Sequence, residues 1–248
     1  MIDMHTHILP NVDDGISNIE EAIAVLERGK FEGIDTFVLT PHLREESDWE
    51  KIDCIKKSFD VLSEECKERE LDVKLILGAE LFLTIDLPQK LKQNKAVIIG
   101  ERYALVELPF SQLPIYTDEV LFELLVKDIT PIIAHPERYL YLNNKLEKIG
   151  KWIENGIILQ INTGSLLGKY GIRTKWFAKK LLKSGFTCFL GSDIHSINDK
   201  LCSFSEALRI IAGISIKGNK PKGCMVLPSV SKDSKRDADK LRRFSHNN

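Results

Sequence analysis

The sequence predicts an α/β fold in which parallel strands close into a barrel, and three observations point there. Seven short apolar runs recur with centres near positions 4, 38, 77, 106, 133, 160 and 189, about 27 to 39 residues apart. Amphipathic stretches with helix signals separate most of them, so the repeating unit is a strand followed by a helix. The runs are near-continuous in Val, Ile and Leu, as expected of parallel strands buried on both faces. Seven such units favour a closed barrel over an open doubly wound sheet. No G-x-G-x-x-G follows the first run, which removes the usual dinucleotide reading.

Taken in order, "MIDMH" is the first strand. "SNIEEAIAVLERGKFEG" follows as a helix, with Ser17 or Asn18 as cap, acidic residues in the first turn and Gly33 past the end. "IDTFVLTPH" is the second strand, and the next helix keeps Ile52, Ile55, Phe59 and Leu62 on one stripe. "VKLILGAE" and "YALVELPF" are the third and fourth strands, the latter followed by the helical "TDEVLFELLVK". "TPIIAHPE" and "IILQINTG" each precede a helix, one closing on Gly156 and the other on Gly185. "TCFLGSD" completes the set. The "GSLLGK" run at 164–169 lacks the spacing of a phosphate-binding loop.

The bulk numbers narrow the function classes. A chain of 248 residues, 43% hydrophobic, fills one large domain or two small ones, and α/β barrels often use this length as a single unit. There is no run of about 18 apolar residues to span a membrane, and the start has neither the basic nor the apolar region of a signal peptide. Five cysteines without a C-x-x-C argue against a disulfide framework or a zinc knuckle, so a reducing cytoplasm is expected. The net charge of −1 hides an asymmetry: residues 215–248 carry nine Lys/Arg against three Asp/Glu, leaving the rest of the chain acidic. We read a barrel over 1–213 and a basic C-terminal tail over 214–248. A solvated helix or frayed end is favoured over a nucleic-acid or membrane contact.

The chemistry gathers where the predicted strands end. Strand one ends in His5 and His7, which share a face because strand side chains alternate. Strand two ends in His42, strand three in Glu80, strand four in Glu107, strand five in His135, and strand seven runs into Asp193 and His195. Five of the chain's 6 histidines thus stand at C-terminal strand ends, which converge on one mouth in a parallel barrel. With Glu80, Glu107 and Asp193 they make eight donors, and Asp13 or Asp14 offers a ninth. A tetrahedral zinc takes about four ligands, so two or three metal ions are expected. Nitrogen and oxygen donors without thiolate suit manganese, iron or zinc. Such a pocket would be net positive and would favour an anionic substrate, with metal-activated water as nucleophile, which leads to phosphoester hydrolysis. Arg138, three residues beyond His135, is placed either to grip a phosphate or to form an ordinary ion pair on its loop.

At these residues the sequence resembles the PHP (polymerase and histidinol phosphatase) superfamily. The stretches "DMHTHILPNVDDG", "TPH", "GAEL", "LVELPF", "PIIAHPERY", "INTGSLLG" and "GSDIH" carry the likeness from Met1 to about Gly213. Within it they most resemble the bacterial manganese-dependent protein-tyrosine phosphatases of capsule and exopolysaccharide synthesis. The resemblance implies a distorted (β/α)7 TIM-like barrel with a trinuclear site, Mn2+ being the expected ion. It implies one metal on His5, His7, Glu80 and Asp193, a second on Glu80, Glu107 and His135, and a third on Asp14, His42 and His195. It also implies a phosphotyrosine substrate on a cognate tyrosine kinase, with Arg138 as the phosphate-binding arginine. Two features depart from the pattern. Where relatives often carry Arg-Pro-Pro after D-x-H this chain reads "NDKLC", which puts Lys200 in a second arginine's place without its bidentate fork, and the basic tail has no counterpart.

Rival classes leave different marks. An amidohydrolase-type deacylase usually needs a lysine on strand four, where this chain has Glu107. A small-molecule phosphatase of histidinol-phosphatase type shares the metal logic and differs only in the detailed motifs. A cysteine-dependent tyrosine phosphatase is excluded, because no cysteine begins C-x5-R. A non-catalytic module that merely holds a kinase tail would have little reason to keep the full donor set.

Overall fold

The computed structural model describes residues 1–186, 188–199 and 203–214; Lys200 and all but the first residue of the expected basic tail lie outside them. In chain order the first half comprises β1 (Ile2–Thr6), α1 (Ile19–Phe31), β2 (Thr36–Leu39), β3 (His42–Leu43), α2 (Glu46–Trp49), α3 (Ile52–Glu68), β4 (Lys74–Leu77), β5 (Glu80–Phe82) and α4 (Leu87–Gln93). The second half comprises β6 (Tyr103–Glu107), α5 (Thr117–Val126), β7 (Thr130–Ala134), α6 (Leu146–Glu154), β8 (Ile158–Asn162), α7 (Thr163–Leu167), α8 (Ile172–Lys183), β9 (Cys188–Gly191) and α9 (Phe204–Ala212).

All seven predicted strand positions are present, but two are each broken into a pair of short strands. The second breaks at Thr40–Pro41 into β2 and β3, and the third at Gly78–Ala79 into β4 and β5. The ladders therefore divide into two parallel sheets, β1-β2-β4 and β3-β5-β6-β7-β8-β9. Backbone bonds still cross the breaks, from Gly78 N–H to Leu39 O (2.9 Å) and from Glu80 N–H to Pro41 O (3.0 Å). Beyond β9 the chain returns to β1: Asp193 N–H donates to His5 O (2.8 Å) and His7 N–H to Ile194 O (3.1 Å). This is the distorted (β/α)7 arrangement.

Close packing accompanies the break at Gly78. Ile99, on the loop before β6, plugs the barrel floor together with Ile2, Met4, Val38, Leu105, Ile132 and Phe189. A Cβ at position 78 would lie 2.4 Å from Ile99 Cγ1, so only glycine lets the strand pass the plug. The helices pack outside against a separate apolar layer. In α1, Ala22, Ile23, Val25 and Leu26 are buried, and the cap left open between Ser17 and Asn18 is Asn18, whose Oδ1 accepts from Glu21 N–H at 2.9 Å. The helices α2, α4, α7 and α9 were not expected; α2, α4 and α7, at 4, 7 and 5 residues, are short enough for their periodicity to escape notice. No helix among the described residues is long and apolar enough to cross a membrane.

Candidate metal centre at the barrel mouth

The strand ends converge, and the expected donors meet there. His5, His7, His42, Glu80, Glu107, His135 and Asp193 are all buried, while Asp14 and His195 stand nearer the solvent. Glu80 is the hub. Its Oε2 lies 2.8 Å from His42 Nδ1, 3.3 Å from His5 Nε2 and 3.5 Å from His7 Nε2, and its Oε1 lies 2.8 Å from His135 Nε2. Asp193 Oδ1 is 3.6 Å from His5 Nε2 and 3.5 Å from His7 Nε2. Asp14 Oδ1 faces His42 Nε2 at 3.4 Å and His195 Nε2 at 3.5 Å. Four overlapping groups of donor atoms, each within 4.8 Å, can be drawn through these residues.

Sequence-local devices aim the donors. The register of β1 shifts between Asp3 and Thr6, and buried Asp3 holds the irregularity by accepting from Ser192 N–H (2.8 Å) and His5 N–H (3.3 Å). Burial pushes the Asp3 carboxyl up to about 7. Gly191 makes room for His5: a Cβ there would sit 2.6 Å from both His5 Cβ and Gln160 Nε2. His135 and Asp193 adopt φ of 33° and 53°, a left-handed backbone that costs a non-glycine residue roughly 1–3 kcal/mol.

A chain of amides beneath the donors sets their protonation. Gln160 Oε1 accepts from His135 N–H (3.2 Å), so the amide oxygen faces His5 Nδ1 at 3.0 Å and must accept from it too. At the other end Gln160 Nε2 donates to Asn162 Oδ1 (2.8 Å), and Asn162 Nδ2 donates to Asp193 Oδ2 (2.7 Å). His7 Nδ1 likewise donates to Asp13 Oδ2 at 2.7 Å. Both Nε2 atoms therefore turn lone pairs inward, only 3.0 Å apart. Glu80 Oε2 is also buried among these rings, facing His42 Nδ1 at 2.8 Å but outside hydrogen-bond geometry. Orphaned buried acceptors cost about 1–3 kcal/mol each unless something positive takes them, and this nitrogen–oxygen set suits a divalent metal. The residues present fit one.

A proton and a metal ion compete for these nitrogens. Burial opposes charge on Glu80 and Asp193, yet the surrounding imidazoles hold both carboxyls well below their usual range. Burial equally opposes charge on His7, but Asp13 and Glu80 outweigh it and raise the ring to about 10. The same carboxylates that favour a proton on these rings favour a metal cation in its place.

Arg138 stands at the edge of this cluster, on the turn Pro136–Arg138. Its Nη1 donates to Asp193 Oδ2 at 2.9 Å, and its guanidinium lies 4.3 Å from the ring centre of Tyr170 and 5.0 Å from that of Phe110. Buried Glu137 anchors the turn by accepting from Asn162 N–H at 2.9 Å.

A barrel with this mouth belongs to several kinds of hydrolase, and comparison with known proteins separates them. The sequence profile of the capsular polysaccharide synthesis CpsB/CapC proteins matches residues 1–217. The chain belongs to the CpsB/CapC family. It is 33% identical over 223 residues to the tyrosine-protein phosphatase CpsB of Streptococcus pneumoniae, covering 86% of this chain and 90% of that one. It is 28% identical over 212 residues to the tyrosine-protein phosphatase YwqE of Bacillus subtilis strain 168, covering 85% and 84%. A crystal structure from the work on YwqE and CpsB, described as metal-dependent tyrosine phosphatases, matches with a TM-score of 0.77 at 28% identity, covering 85% of this chain and 86% of that one. The histidinol phosphate phosphatase of Lactococcus lactis shares the fold alone, with a TM-score of 0.54 at 12% identity, covering 87% and 94%.

In this CpsB/CapC chain the nine expected donors fall together, in four groups that share residues. As the side chains stand, Glu107 lies with His42 and Glu80, and His135 with His5 and Glu80. Beside Glu107 stands Arg44, which the sequence reading missed. Its Nε donates to Glu107 Oε2 (3.1 Å) and its Nη2 lies 2.9 Å from His42 Nε2. The signal was its place two residues after His42, hence on the same side of the short strand's line. Gln160 and Asn162 were missed as well, although two amides at i, i+2 in an otherwise apolar strand mark an inward polar face. The choice between Asp13 and Asp14 is also resolved in space: Asp13 orients His7, while Asp14 joins the donor group of His42 and His195.

Proposed function

We propose that this chain is a metal-dependent protein-tyrosine phosphatase, acting on the phosphotyrosine of a cognate tyrosine kinase in capsule or exopolysaccharide synthesis. The observation that carries it is the juxtaposition of the buried donor cluster with Arg138 and an aromatic rim. Arg138 spends one donor on Asp193, and its remaining N–H groups meet no acceptor among the described residues, leaving a fork for a phosphate. Phe110, 49% exposed, and Tyr170 flank that fork, so the ring of an aryl phosphate has aromatic surface to pack on. In this reading His5, His7, Glu80 and Asp193 hold one ion, Glu80, Glu107 and His135 a second, and Asp14, His42 and His195 a third. Mn2+ is the ion assigned, with Fe or Zn as alternatives. Divalent metal supplies charge that polarises a phosphoryl oxygen and acidifies water. Arg138 orients the phosphoryl group and offsets its charge, with Lys200 assigned as a second cation. Asp13, Gln160 and Asn162 keep the donors aimed. A cytoplasmic location completes the assignment.

The test is reconstitution of metal-stripped protein with Mn, Fe, Zn or Mg, assayed on phosphotyrosine and phosphoserine peptides and on a small aryl phosphate. Turnover should return with metal, best with Mn2+, and should favour phosphotyrosine. It should be lost to chelator and survive iodoacetamide. Chelator-resistant, thiol-sensitive turnover would overturn the assignment.

A further inference from the structure

The outer surface of α8 is strongly cationic. Its inner face buries Phe177, Ala178, Leu181 and Leu182. Its outer face carries Arg173, Lys175, Lys179, Lys180 and Lys183, with no acidic residue anywhere in the helix. Arg173, Lys175, Lys179 and Lys183 have no ion-pair partner among the described residues, and Lys180 reaches only the carbonyl of Asn143, at 3.4 Å. Two large apolar side chains sit among these charges: Trp176 is 71% exposed and Ile172 is 66% exposed. Together with Asn143 this face lines a groove of about 800 Å³.

The α8 face begins beside the turn that carries Arg138. Two residues before α8 begins, Tyr170 stacks on Arg138 at 4.3 Å. A helix of 12 residues is about 18 Å long, the span of about six residues of extended peptide. A phosphotyrosine seated at Arg138 thus places its neighbours along the α8 face. A cationic row with an exposed tryptophan is a poor solvated surface but a good partner for carboxylates on an extended chain.

We propose that the α8 groove docks the acidic segment flanking the phosphotyrosine of the protein substrate. This rests on the phosphatase reading and adds to it a specificity surface outside the donor cluster. A cationic face that starts beside the phosphate-binding Arg138 favours a polypeptide substrate over an anionic membrane.

The test uses the full metal-loaded chain and a variant carrying Lys179→Glu, Lys180→Glu and Lys183→Glu, with Trp176→Ala as a second variant. Three exposed charge contacts reversed should lower kcat/KM on a phosphotyrosine peptide bearing four flanking glutamates by about tenfold. A small aryl phosphate, and the same peptide with serines for glutamates, should change by less than about twofold, because neither reaches the groove's charges. In parallel, fluorescence anisotropy of the unphosphorylated acidic peptide should show weaker, salt-sensitive binding to both variants. Equal turnover of acidic and neutral peptides by the wild type would overturn the proposal, as would equal loss on the aryl phosphate. Preferential binding of phosphatidylglycerol vesicles with no effect on the acidic peptide would overturn it in favour of a membrane surface. Wild-type protein inactive on every phosphate would count against the phosphatase reading, and the anisotropy arm would still decide the docking face.

Discussion

β6 carries Leu105 into the barrel floor and Glu107 into its mouth, two residues apart, and their surroundings are opposites. Leu105 is packed by Met4, Val38, Ile99, Ile132 and Phe189, all apolar and all satisfied by exclusion of water. Glu107 is equally buried but sits among Arg44, His42 and Glu80, where the donors are left in mutual tension. β1 repeats the contrast, with Ile2 and Met4 below and His5 and His7 above. One set of strands thus separates what holds the fold together from what binds charge. A strand end can carry costly chemistry because the floor beneath it supplies the stability.

The largest effect expected at the mouth is from Glu80→Gln, which removes the carboxylate shared by His5, His7, His42 and His135. Turnover should fall by at least about a thousandfold, beyond the loss of one oxyanion donor, and elemental analysis should show less bound metal. The folded circular-dichroism spectrum should persist. Global unfolding would break the proposed separation of mouth from floor. The mirror experiment is Leu105→Ala, which should destabilise the chain by about 2–5 kcal/mol in urea unfolding. The fraction that stays folded should keep its metal and its kcat. Metal loss at folded concentrations would show that the floor also shapes the mouth.

Smaller effects sharpen the division within the mouth itself. Arg138→Ala should lower kcat/KM by about tenfold to a thousandfold, and Arg138→Lys should already be impaired because the planar fork is gone. Metal content should stay constant in both. If Lys200 is a second phosphate contact, Lys200→Arg should preserve kcat/KM while Lys200→Ala lowers it. The mildest change expected is Gln160→Leu, which leaves every donor in place but removes the acceptor that sets the His5 tautomer. It should weaken metal binding or activity by about 10–100-fold, measured by competition with a chelating dye. Unchanged affinity would mean that packing alone orients His5.

The mouth was more legible in the sequence than the frame that carries it. His5 and His7, like Asp193 and His195, announce themselves because i and i+2 face one way on an extended chain, and the strand–helix rhythm places strand ends at one rim. Gln160 and Asn162 obey the same spacing but were passed over, since amides in a strand read as ordinary core polar residues until their acceptors are known. Arg44 was hidden for a different reason: a charged residue after a strand is usually solvated, and only its distance to Glu107 gives it a role.

What the amino-acid order determined by itself is therefore local: which residues share a face, where the longer helices lie, and which chemistry gathers at the strand ends. These follow from the two-residue period of a strand and the capping rules of a helix, which need no knowledge of neighbours. Tertiary structure alone decided how donors on different strands divide among themselves. It brought Glu80 among His5, His7, His42 and His135, Glu107 beside His42, and Asp13 behind His7. Distances between strands depend on tilt and on where a strand breaks. Here the break falls at Gly78, where Ile99, 21 positions away and packed in the barrel floor, leaves no room for a Cβ.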